Sequence, residues 1–87
     1  MITQTPEAAT MLARRLIARD FYAVALAKAV PTVHVNLSGA NRAEIQILTD
    51  EETGEAFYQG RIIIPGQNPL LFSRISHRQL ESLLERH

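Results

Sequence analysis

From Thr32 to Ile64 the chain alternates apolar and polar residues, and that period of two restricts its fold more than anything else in it. In Thr32-Val33-His34-Val35-Asn36-Leu37-Ser38, the residues Val33, Val35 and Leu37 point one way and the others point opposite. Gly39-Ala40-Asn41 breaks the run with residue types that tolerate positive φ. Arg42 to Thr49 resumes it, with Ala43, Ile45 and Ile47 on one side and Arg42, Glu44 and Gln46 on the other. Leu48 falls on the polar side, which predicts partial cover of that face at this end. Asp50-Glu51-Glu52-Thr53-Gly54-Glu55 reads as a longer hairpin loop, with Gly54 in the left-handed position that closes it. The third run, Ala56 to Ile64, sets Tyr58, Ile62 and Ile64 against Phe57, Gln59, Arg61 and Ile63. Gly60 sits mid-strand, where a glycine marks a bulge or a close backbone approach. Pro65 ends the strand because it has no N–H for the ladder. Connections this short join antiparallel neighbours, so the stretch predicts a three-stranded meander.

Helical spacing flanks the sheet on both sides. Thr5-Pro6-Glu7 supplies an N-cap, a proline at the first helical position and an acid at the positive end of the dipole. Ala9, Leu12, Ala13, Leu16 and Ile17 form an apolar stripe, and the next stop signal is Val30-Pro31, so the helix is expected to run to about Ala29. Asp20 would fall on the buried side of that helix. Either the helix bends near Arg19-Asp20, or Asp20 meets a partner from the sheet. Beyond it, Phe21, Tyr22, Val24, Leu26 and Val30 spread apolar surface round most of the circumference, more than one sheet needs.

Towards the other end, Pro65-Gly66-Gln67-Asn68-Pro69 is a loop by composition. Leu70-Leu71-Phe72-Ser73 is either a short fourth edge strand or a plug over the core. Ser76 as N-cap and Gln79 three residues on form a capping box, and Ile75 and Leu80 occupy the two positions of a hydrophobic staple. Leu80, Leu83 and Leu84 give the last helix one apolar face. The expected fold is a two-layer α+β domain spanning residues 1–87: long helix, three-stranded antiparallel meander, possible short fourth strand, helix.

The α-β-β-β-α order is similar to that of double-stranded-RNA-binding domains. Those domains grip phosphates with a Lys-rich start to the second helix, whereas here that helix begins Ser76-His77-Arg78-Gln79. The resemblance is one of topology, and topology does not carry function.

Composition excludes several functions. With 87 residues the domain is marginal on surface-to-volume grounds, and domains of this size often lean on a partner, a metal or disulfides. There is no cysteine, hence no disulfide, thiolate metal site or thiol nucleophile, which suits a reducing cytoplasm. Formal net charge is +0, so no overall field draws the protein to nucleic acid or to anionic lipid. No apolar run approaches the about 20 residues of a membrane span. Met1 to Glu7 lacks the basic start and apolar core of a signal peptide. Lys28 is the only lysine beside many arginines and alanines, a usage that suggests a GC-rich bacterial genome.

Three groups of residues are candidates for function. Arg14, Arg15 and Arg19 form a basic patch on the first helix, against the simpler reading of a solvated face. Asp50, Glu51, Glu52 and Glu55 crowd one hairpin tip without the alternating ligands of an EF-hand, and a plain polar turn accounts for them. Once one sheet face is covered, Phe21, Tyr22, Leu26, Leu48, Phe57, Ile63 and Leu70 to Phe72 are left over, and Phe21, Tyr22, Leu26, Phe57 and Ile63 among them are the expected contact surface. No nucleophile elbow, Gly-rich phosphate loop or metal-ligand spacing is present, so no catalytic residue and no cofactor are assigned. The expectation is a non-enzymatic, cytoplasmic protein-binding module, partnered by itself as a homodimer and by another protein. Nucleic-acid binding through Arg14, Arg15, Arg19, Arg42, Arg61, Arg74 or Arg78 comes second if these converge, and a small ligand-binding protein or enzyme comes third.

Overall fold

A computed structural model of the chain describes residues 6–26 and 28–87. Its elements are α1 (Pro6–Ile17), β1 (Tyr22–Leu26), β2 (Thr32–Asn36), β3 (Arg42–Thr49), β4 (Ala56–Ile63), β5 (Leu70–Ile75) and α2 (His77–Glu85). The five strands form one antiparallel sheet in the order β1-β2-β3-β4-β5. The class is α+β as expected, but the meander has five strands rather than three or four. The three-strand order shared with double-stranded-RNA-binding domains is therefore not this fold.

One departure lies at the end of α1. The helix does not reach Ala29; it stops at Ile17. Asp20 takes a left-handed conformation with φ 68°, which aspartate tolerates better than most residues. The Phe21 N–H donates to the Leu16 carbonyl and the Asp20 N–H to the Ile17 carbonyl, each at 3.0 Å. That pair of bonds is a Schellman motif, in which a left-handed residue turns the chain out of the helix. Asp20 spoils the helical stripe because it ends the helix. Phe21, the residue after it, packs against the core. The Thr5 cap lies outside the described residues.

Of the two readings of Leu70-Leu71-Phe72-Ser73, the structure has the edge strand rather than the plug, and β5 runs on to Ile75. Leu70 to Ile75 is a strand, paired to β4 as Ile62↔Leu70, Arg61↔Leu71 and Gly60↔Phe72, then shifting to Tyr58↔Ile75. One extra residue on β5 lies within that shift, and Arg74 there has φ 52°. Gly60 faces Ile45 on β3, and a Cβ built on it would run into the main-chain carbonyl of Glu44. The mid-strand glycine is thus a close approach of backbone to backbone, next to the bulge.

Both helices lie on one face of the sheet, α1 over β1 and β2, α2 over β4. Leu16, Val33, Val35, Ile45, Ile62, Leu80 and Leu84 are fully buried between the layers. Burial of each such side chain is worth about 1.5–3 kcal/mol, so this one layer dominates stability. The capping box of α2 is formed: the Gln79 N–H donates to Ser76 Oγ at 3.3 Å and the Ser76 N–H to Gln79 Oε1 at 2.9 Å. Replacing Ser76 by Ala is expected to cost about 1 kcal/mol in denaturant unfolding, and an unchanged midpoint would show that this cap is idle.

Candidate functional site

Because the helices occupy one face, alternation along each strand assigns every second residue to the other. Among the described residues neither helix lies on that second face. Register arranges it in rows across the strands. Tyr22, Asn36, Arg42 and Ile63 form one row, and Val24, His34, Glu44, Arg61 and Leu71 the next. Leu26, Thr32, Gln46 and Gln59 follow, and Leu48 and Phe57 stand beyond them.

The middle of this face is polar and internally satisfied. The Glu44 carboxylate receives His34 Nε2 at 3.0 Å on one oxygen and Arg61 Nη2 at 3.5 Å on the other, so one acid bridges three strands. Beside it Gln59 Nε2 donates to Gln46 Oε1 at 2.9 Å. Thr32 is only 2% exposed, and its hydroxyl donates to the Val30 carbonyl at 2.8 Å. The Arg74 guanidinium lies 4.9 Å from the Phe57 ring centroid, a cation–π contact that the left-handed turn at Arg74 sets up. This is the partial cover that Leu48 predicted for its end of the face. Around the polar middle the margins are apolar, with Tyr22 66%, Val24 44% and Leu71 74% exposed. Shallow clefts run between these rows, one lined by Glu44, Gln59, Arg61 and Leu71, another by His34, Arg42, Glu44 and Ile63.

The expected contact residues divide accordingly. Tyr22, Leu26, Phe57 and Ile63 all lie on the open face, although Leu26, Phe57 and Ile63 are half-buried. Phe21 does not join them, since it packs against the core. Val24 and Leu71 complete the apolar margin; both belong to the surplus apolar residues of the sequence, but neither is among the five expected contact residues. A strand reading of residues 22–26 would have found Val24, because it alternates with Ala23 and Ala25.

The seven candidate arginines do not converge. Arg14, Arg15 and Arg78 belong to the helices; Arg19, expected on the first helix, lies in the turn after α1 because the helix stops at Ile17; and Arg42, Arg61 and Arg74 belong to the open face. Arg19 has Nε 3.3 Å from Glu81 and Nη2 3.6 Å from Glu85, so it joins the end of α1 to α2. The acidic turn is built around Asp50, whose Oδ1 accepts from the Glu52 N–H at 2.8 Å and the Thr53 N–H at 3.3 Å. Gly54 there has φ 74°, the left-handed position expected of it, and Glu51, Glu52 and Glu55 are exposed. Among the described residues no three His, Asp or Glu side chains converge to hold a metal ion.

One titratable cluster lies on the covered side. His77 Nε2 is 3.1 Å from Glu81, and the His77 ring is tilted against Tyr58 with centroids 6.0 Å apart. Burial pushes the Tyr58 phenol above its ordinary value of 10.0; Arg15 opposes the shift and Glu81 adds to it. No family model matches the chain, and neither a curated protein nor a solved structure is significantly similar to it.

The raised Tyr58 phenol has a consequence for stability. Above pH 10.0 the unfolded chain releases the phenolic proton before the folded one does, so the folded state binds more protons and stability falls as pH rises. Tyr58→Phe is expected to flatten that alkaline decline in unfolding midpoints, and a decline identical to wild type would assign it to other groups.

Proposed function

We propose that this chain is a small non-enzymatic protein-binding module, a regulator, inhibitor or assembly adaptor that works as a homodimer in the cytoplasm. The observation that carries the reading is the one-sided cover of the sheet. Tyr22, Leu26, Phe57 and Ile63 share a face with the exposed Val24 and Leu71; both helices lie on the other face, and Arg74 over Phe57 covers this one only at its end. Small monomers seldom expose broad apolar patches unless something binds there. The polar middle supports the same reading. His34, Glu44 and Arg61 hold one another in place before any partner arrives, so little ordering remains to be done on binding. Sedimentation equilibrium at micromolar concentration is expected to return the mass of a dimer. A clean monomer would remove the homodimer and leave the face to a different protein.

A second reading is favoured by one observation. Arg42, Arg61 and Arg74 lie on the same face as Tyr22 and Phe57, with Glu44 the one acid among the described strand residues there. Arginines and aromatics on an open sheet suit single-stranded nucleic acid. It ranks second because Glu44 already engages Arg61 and the formal net charge of +0 leaves little counterion release to drive binding. Fluorescence anisotropy with labelled single-stranded RNA and duplex DNA is expected to show only weak, salt-sensitive association. Tight, saturable binding at physiological salt would reverse the order of the two readings.

A further inference from the structure

The two outer strands of the sheet are unequally protected. β5 has Pro69 directly before it, and a bulge and a left-handed residue within it, all features that stop a strand from pairing further. β1 has none of them. Tyr22-Ala23-Val24-Ala25-Leu26 carries no charge and no proline, and its register with β2 is unbroken. Natural sheets rarely leave such an edge bare.

The backbone groups on that edge can be identified. The Ile47 N–H donates to the Pro31 carbonyl and the Leu37 N–H to the Asn41 carbonyl, so odd-numbered residues of β2 turn their backbone groups to β3. Even-numbered ones turn to β1, where Asn36, His34 and Thr32 engage Tyr22, Val24 and Leu26. Ala23 and Ala25 are left with their N–H and C=O groups directed to the free edge.

We infer that two copies of the chain pair antiparallel through β1, with Val24 on the two-fold axis, so that the sheets join into one; this rests on the homodimer reading. In that register Ala23 exchanges both backbone bonds with the partner's Ala25, and Ala25 with the partner's Ala23. All four edge groups are satisfied by the same strand. Side chains directly opposite share a face, so Val24 meets the partner's Val24 and Tyr22 meets the partner's Leu26, every contact apolar. Charge agrees as well. Asp20 precedes β1 and Lys28 follows it, neither in an ion pair among the described residues, and antiparallel pairing brings unlike ends together. A second copy therefore fits this edge better than an unrelated extended peptide, which would match the backbone groups alone.

The test is a charge swap on the axis. Val24 is exposed and outside the core, so Val24→Lys and Val24→Glu are expected to fold, with circular dichroism as the check. In sedimentation equilibrium each alone should weaken self-association on the order of tenfold, because like charges meet across the axis. An equimolar mixture should recover dimers to within about threefold of wild type, with native mass spectrometry detecting the mixed species. A wild-type monomer would overturn the homodimer and the edge pairing together. Dimers unaffected by either substitution would overturn the edge pairing alone. Weakening without recovery on mixing would overturn the register that sets Val24 against its copy, and an extended segment of another protein would become the better occupant.

Discussion

Burial of Val33, Val35, Ile45 and Ile62 beneath Leu16, Leu80 and Leu84 is the contact on which the rest of the domain depends. A five-stranded meander has two equivalent faces until something is laid on one of them. Among the described residues there are two helices, both packed on the same layer through the buried core, and Arg19 bridges from the turn after α1 to Glu81 and Glu85. That choice makes one face the core and the other the outside. The polar residues of the outer face have to satisfy one another or water, which is why Glu44 is shared between His34 and Arg61 and why Gln46 meets Gln59.

The central strands were readable because both signals agreed there. β-branched residues stood at every second position, and the breaks between them were filled by Gly, Asn and Asp. The last helix was readable for a similar reason, its cap and its apolar face pointing to one start. β1 was not. Its inward positions are Ala23 and Ala25, small residues that favour helices, so the alternation looked like continued helix with apolar residues on several sides. The decisive sign was Asp20. A single charged residue on the buried stripe was readable as a misfit, but only the backbone reveals it as the left-handed residue of a helix end.

The open face was half visible for the same reason. Phe57 and Ile63 follow from the period of β4, whereas Tyr22 and Leu26 are surplus apolar residues on a helix in the sequence and reach the open face through β1 instead. Phe21 was miscounted because it neighbours Tyr22 in sequence while facing the opposite layer, the ordinary consequence of a two-residue period. The Glu44 bridge was out of reach from sequence. His34, Glu44 and Arg61 lie on three different strands, and only the register brings them into one row.

The left-handed turn at Arg74 sets the phase of everything after it. Phe72 and Ile75 are three residues apart, yet both pack towards the core. Strict alternation would have sent Ile75 to the outer face and carried the Ser76 cap round with it. The extra residue advances the strand by half a period, so that α2 starts on the side where Leu80 and Leu84 are needed. For this short segment, length is therefore a stricter requirement than composition: a side chain can change within it, but one residue more or less would aim the whole final helix at the wrong side of the sheet.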